Sequence, residues 1–85
     1  MNAPCYLVDG RSDFTDARAR VERPTIADAI ESSMRIMARS EITEVWITYL
    51  DEHGQAEVIA AWIWSRHDAE WKTRKHPVQP ADASI

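Results

Sequence analysis

Few residues of this chain have the types and spacing that catalysis or metal binding requires. The three histidines, His53, His67 and His76, lack the spacing of metal ligands, and His53 lies in a sequence typical of a turn. Ser32 and Ser33 adjoin each other with no histidine nearby in sequence, so nucleophilic catalysis has no support. We therefore expect no catalytic residue, no metal site and no cofactor.

The acidic residues and glycines give no stronger signal. Glu41, Glu44 and Glu57 could meet across strands, but nothing indicates the buried acid pair that general acid–base catalysis requires. The stretch DGRSD holds a single glycine, which is too few for a phosphate-binding loop. These patterns favour a protein that is not an enzyme.

The composition indicates a small globular domain. Among 85 residues, 45% are hydrophobic and 28% are charged, and a chain of this length supports one core. The net charge of -4 argues against general DNA binding. No apolar run is long enough for a signal peptide or a membrane span, and Cys5 has no partner for a disulfide. We expect a cytoplasmic protein with one α+β domain over residues 1–76 and a mobile tail over residues 77–85.

The first half predicts two strands and a helix. CYLVD reads as a strand over about residues 4–8, and ARARVER alternates apolar residues and arginine as a half-exposed strand does. Pro24 and Thr25, with Asp28 three positions later, predict an N-capped helix from residue 25 to about residue 39. Its apolar stripe, which we expect to pack on the core, is formed by Ile26, Ile30, Met34 and Met37.

The second half predicts a β-hairpin. EVWITYL and AEVIAAWIWS are rich in β-branched and aromatic residues, and His53-Gly54 supplies a turn between them. A two- or four-residue turn would place Val45 and Ile47 beside Ala60 and Trp62, whereas a three-residue turn would shift every pair by one. We favour the first register. Residues 67–75 read either as a short helix or as the end of the last strand.

The predicted fold is therefore an α+β two-layer domain, a small antiparallel sheet in ββαββ or βαββ order with one amphipathic helix on one face. Since both faces of the hairpin are apolar and one helix covers one face, an apolar face holding Trp46 is left over. The chain's own ends, a second copy or a different protein could cover it. The residues we expect to bind a partner there are Trp46, Ile59, Ile63 and Trp71, with Arg66, Lys72 and Arg74 as a polar rim.

The element order YLVD, ARVER, TIADAIESSMRIMARSE, VWITYLDEHGQAEVIAAW resembles that of small phage and mobile-element accessory proteins of the anti-CRISPR type. The resemblance covers about residues 5–65 and consists of element order and spacing. It implies a stoichiometric inhibitor that occupies a surface on a CRISPR effector complex and does no chemistry. Many such inhibitors are more acidic, and the four tryptophans here favour a hydrophobic anchor.

Three functional hypotheses follow from these patterns. The first is a non-enzymatic protein-binding module, phage- or bacterium-encoded, that acts by steric occlusion of a larger protein or complex. The second is a homodimeric structural or regulatory protein that uses the same face. The third is weak nucleic-acid contact through the C-terminal basic segment, with Trp71 stacking on a base, although we expect nucleic acid to be an unlikely partner.

Overall fold

A computed structural model describes residues 3–74, and these form one antiparallel sheet with a helix packed on one side. The strands are β1 (Cys5–Arg11), β2 (Arg18–Arg23), β3 (Glu44–Leu50), β4 (Ala56–Ser65) and β5 (Glu70–Thr73), and the helix α1 (Ile26–Met37) joins β2 to β3. The order across the sheet is β2-β1-β3-β4-β5. The predicted α+β fold class is thus confirmed, with one strand more than the predicted order. The tail predicted over residues 77–85 lies outside the described residues.

The core lies between α1 and the middle of the sheet. Val8, Val45 and Ile47 on neighbouring strands are fully buried beneath Ala29 and Ile36 of the helix. On β2, Ala19 and Val21 pack against this core while Arg18 and Arg20, which alternate with them, point away, as the alternating sequence predicts.

Helix α1 begins after the predicted N-cap, Thr25, and ends at Met37, two residues before the predicted end at about residue 39. The Thr25 hydroxyl accepts a hydrogen bond from the Asp28 amide at 3.1 Å, the contact of a helix N-cap. The last turn closes through the amides of Ala38 and Arg39, so residues 38 and 39 follow the helix.

The prediction of which helix face is buried is wrong. The buried residues of α1 are Ala29, Ser32, Ser33 and Ile36. In the predicted stripe, Ile26 is 40% exposed, Ile30 45% and Met34 63%, and Met37 alone is partly buried. The small residues are buried because α1 sits close to the sheet. A Cβ placed on Gly10 would lie 2.6 Å from Ile36 Cγ2, so only glycine fits below this turn of the helix.

The hairpin register follows the favoured prediction only away from the turn. Val45 pairs with Trp62 and Ile47 with Ala60, as predicted. Nearer the turn, Thr48 pairs with Val58, because the register shifts by one between Ile47 and Thr48. The connection spans residues 51–55, an odd-length loop, and the shift compensates for its length.

The segment after β4 is a separate strand, so both readings given for residues 67–75, a short helix and the end of the last strand, are wrong. A four-residue turn over residues 66–69, with Ala69 at φ 54°, returns the chain to pair Trp71 with Trp64 and Thr73 with Trp62. Strand β5 therefore widens the sheet beyond the helix, which contacts β1, β2 and β3.

Candidate functional site

The helix side of the sheet carries a groove between α1 and the outer strands. Its volume is about 480 Å³, and it is lined by Met34, Met37, Ala38, Trp62, Trp71 and Thr73. The groove exists because α1 covers β1 to β3 while β4 and β5 continue past it. We call these six residues the helix-side groove.

The floor of the helix-side groove is aromatic and ordered by packing. Trp71 meets Trp64 edge to face, with ring centroids 5.8 Å apart, a preferred geometry for aromatic pairs. Trp62 and Trp71 both pack against the edge of the core and are half-buried. A smaller hollow of about 220 Å³ continues between Trp64, Trp71 and the C-terminal end of α1.

The exposed stripe of α1 extends the helix-side groove. Ile26, Ile30 and Met34 recur every four residues, so they lie along one flank of the helix. Met34 belongs to both the stripe and the groove wall. Together the stripe and the groove present an apolar surface on the order of 300 Å² or more, a size at which patches on monomers mark interaction sites.

The opposite side of the sheet is mixed in character, with Trp46 surrounded by charge pairs. Glu44 is buried and accepts hydrogen bonds from Arg11 Nε at 2.7 Å and from Arg74 Nη1. The Arg11 guanidinium also lies over the Trp46 ring, 5.6 Å from its centroid. This side therefore differs from the mainly apolar face that the sequence predicts.

A second buried acid stands beside the first on this side. Asp9 is 5% exposed and accepts a hydrogen bond from Arg20 Nε at 2.5 Å. The Asp9 carboxylate raises the pKa of the Arg20 guanidinium through this hydrogen bond and its negative charge. A hollow of about 400 Å³ adjoins the pair, lined by Asp9, Gly10, Arg18, Ala19, Arg20 and Trp46.

The structure separates the predicted partner-binding residues. Four of them, Trp46, Ile63, Lys72 and Arg74, share the side opposite α1. Trp71 lies on the helix side, so its predicted place beside Trp46 is wrong. Ile59 has no partner on β3 at the register shift and is exposed.

The predicted basic rim is tied up in ion pairs. Arg66 Nη2 lies 2.6 Å from Asp13 Oδ1, and the Arg66 guanidinium lies over the Phe14 ring. These two contacts join the β4–β5 turn to the β1–β2 loop. Lys72 pairs with Asp68, and Arg74 pairs with Glu44. Within residues 3–74, each of these three cations is therefore paired with an acid.

Sequence reasoning missed two groups of residues that the fold brings together. The sequence predicts that Ile26 and Ile30 pack on the core, but both isoleucines are exposed on the flank of α1. The sequence places Arg18 and Arg20 on the exposed face of a half-exposed strand. The alternation in ARAR carries the signal that both share a side, but only the pairing of β2 with β1 places them near Trp46.

The hydroxyl groups of Ser32 and Ser33 have structural hydrogen-bond partners. Arg23 Nε donates to Ser32 Oγ at 2.8 Å, and Ser33 Oγ donates to the Ile30 carbonyl at 2.7 Å. Within residues 3–74, no three histidine, cysteine or acidic side chains are grouped to hold a metal ion. The one helix in that range, α1, is too short and too polar to cross a membrane.

Comparison with known proteins gives no match. No family model matches the chain, and no curated protein and no solved structure is significantly similar to it.

Proposed function

We propose that this chain is a non-enzymatic protein-binding module whose docking surface is the helix-side groove with the exposed stripe of α1. The observation that supports the proposal is the exposure of Met34, at 63%, beside half-buried Trp62 and Trp71. Burying a patch of about 300 Å² would contribute several kcal/mol, at ~25 cal/mol per Å², before the costs of association. The residues have the types found at interface hot spots, an aromatic anchor within an apolar surround.

The resemblance to anti-CRISPR proteins extends this proposal to a mechanism. The resemblance implies that this chain of 85 residues acts by occupying a surface on a larger complex. We propose steric occlusion of a CRISPR effector in the cytoplasm of the host cell as the finer function. Inhibition would then be stoichiometric.

A homodimer is the second candidate, because the spacing of the stripe favours it. Ile26, Ile30 and Met34 follow one row of the helix, and such rows pack against each other when two helices cross about a two-fold axis. A stable dimer buries about 800 Å² on each partner, which would require the stripe and the helix-side groove together.

The test compares Met34→Lys with Gln55→Lys. Both variants add one positive charge at an exposed position, but Gln55 lies in the β3–β4 turn, away from the groove. Sedimentation velocity of wild type and both variants decides the oligomeric state. A dimer that Met34→Lys alone dissociates would favour the homodimer over docking on a different protein.

For a monomer, the chain is used to capture proteins from a bacterial lysate, and the captured protein is then purified and titrated. Docking at the groove predicts that Met34→Lys weakens this binding by about thirtyfold, the loss at a hot spot, while Gln55→Lys binds as wild type. Equal affinities for all three chains would contradict the proposal. For inhibition of a CRISPR effector, expression of this chain in a bacterium with an active CRISPR system should restore plaque formation by a phage that the system targets. If the chain restores no plaques against any CRISPR type, the proposal of CRISPR inhibition is wrong.

A further inference from the structure

The side of the sheet opposite α1 concentrates positive charge in an acidic protein. Four arginines, Arg11, Arg18, Arg20 and Arg74, meet there with two buried carboxylates, Asp9 and Glu44. Lys72, Glu22 and Glu70 share this side, so five positive charges stand against four negative ones there, a balance of about one positive, whereas the whole chain carries -4. We call these four arginines the arginine cluster. A local field of this sign attracts anions even when the net charge does not.

The two acids hold arginines in place without using up their donors. Asp9 binds Arg20 through Nε, and Glu44 binds Arg11 through Nε. A guanidinium has five N–H donors, so the two Nη groups of each side chain can still donate to a ligand. Within residues 3–74, these Nη groups have no protein hydrogen-bond partner. Both arginines are therefore oriented and still able to bind an anion.

Arg18 adds an unpaired charge at an unfavourable position. It lies directly opposite Arg11 across the β1–β2 ladder, where like charges destabilise a sheet. Arg18 forms no ion pair with any residue of the described part of the chain. Glu44 compensates the charge of Arg11, and an anion between Arg11 and Arg18 would also compensate that of Arg18.

Trp46 gives the same site a flat apolar surface. Its indole lines the 400 Å³ hollow together with Arg18 and Arg20, and the Arg11 guanidinium covers part of the ring. An aromatic ring bordered by guanidinium groups on an open sheet is the arrangement that binds single-stranded nucleic acids, by base stacking and phosphate contact. An acidic peptide would pair with the arginines but leave the indole without a role.

We propose that the hollow between Trp46 and the arginine cluster binds single-stranded nucleic acid, with one base stacked on Trp46 and the adjoining phosphates bound by Arg18 and Arg20. A single strand is required because a base within a duplex is already stacked. The site lies on the other side of the sheet from the helix-side groove, so it goes beyond the proposed protein-binding function and can fail independently of it. With two or three phosphate contacts, binding is weak and strongly dependent on salt.

The test is fluorescence anisotropy of a labelled single-stranded oligothymidylate titrated with the full chain between about 50 and 200 mM salt. The decisive variant is Arg18→Gln, because Arg18 is exposed and its removal breaks no ion pair within residues 3–74. Loss of one phosphate contact should reduce the slope of log affinity against log salt by about 0.7. Trp46→Leu should weaken binding by roughly fivefold to a hundredfold if a base stacks there.

Arg35→Gln is the matched control, since it removes the same charge from the exposed surface of α1 and should leave affinity and slope unchanged. An abasic strand of equal length should bind more weakly than oligothymidylate, and duplex DNA more weakly still. The proposal is overturned if wild type shows no saturable binding at low salt, or if Arg18→Gln and Arg35→Gln have equal effects. Equal binding of the abasic strand, equal competition by polyglutamate, or full affinity in a folded Trp46→Leu variant would also overturn it.

Discussion

Glu44 offers the sharpest test of how the side opposite α1 is held together. Its side chain is 8% exposed and accepts hydrogen bonds from Arg11 and Arg74, whose own side chains are 43% and 34% exposed. The acid is therefore shielded from water while both arginines remain partly solvated. Removing one arginine leaves Glu44 paired with the other, whereas removing both leaves a buried carboxylate with no cation. The two substitutions should consequently not be additive.

The magnitudes follow from this asymmetry. A hydrogen bond to a charged group contributes ~1.5–3 kcal/mol, and the exposure of each arginine reduces this to about 1 kcal/mol for Arg11→Gln or Arg74→Gln alone. An unpaired buried charge costs ~3–5 kcal/mol, which we expect for the double variant. The coupling between the two sites is thus about 1–3 kcal/mol, within the range for residues that share a partner.

Urea unfolding followed by circular dichroism measures these free energies for the wild type, the two single variants and the double variant. Arg66→Gln is the control, because both Arg66 and its partner Asp13 are exposed and their ion pair should contribute less than about 1 kcal/mol. If the double variant loses only the sum of the single losses, to within ~0.5 kcal/mol, then Glu44 is solvated on loss of its partners and the reasoning fails.

Two further substitutions test the close packing of α1 and the surroundings of the one cysteine. Gly10→Ala should lower the free energy of unfolding by ~1–3 kcal/mol, because the added methyl overpacks the contact with Ile36. Adding Ile36→Leu, which removes the Cγ2 methyl at 2.6 Å, should restore part of this loss, whereas adding Ile36→Val should not. Equal unfolding midpoints for the two double variants would contradict this. Partial burial, and then the Glu22 carboxylate, raise the pKa of the Cys5 thiol. Iodoacetamide should therefore alkylate Cys5 more slowly than a free thiol, and faster in Glu22→Gln than in wild type. An alkylation rate that Glu22→Gln leaves unchanged would contradict this.

Most elements of this fold could be predicted because they have strong local signals. Pro24 and Thr25 fix the start of α1, and the structure shows the expected contact between the Thr25 hydroxyl and the Asp28 amide. The dense β-branched and aromatic runs of β3 and β4 predict their strands with the bounds observed. Strand β5 could not be decided, because EWKT is short, polar and also compatible with a helix.

The candidate sites could be predicted less well, because they depend on contacts between distant residues. Arg11 and Arg18 are opposed only through the β1–β2 register, and Arg74 reaches Glu44 across 30 positions of sequence. The side of the sheet that holds Trp71 depended on whether residues 67–75 form a strand. A pattern of alternating residues shows that two side chains share a face, but not which strand lies beside them.

The misassigned face of α1 has a physical cause that also explains the tryptophans. Hydrophobic periodicity finds the side of a helix with the largest apolar residues, but close packing on a sheet favours the smallest. Gly10 below Ile36, with Ala29 and Ser33 on the helix, brings α1 down onto β1 to β3. Large side chains such as Met34 are then displaced to the flank. Because β4 and β5 extend past the helix, Trp62 and Trp71 line a groove that the helix does not fill, and the apolar surface lies on the side of the sheet that the helix was expected to seal.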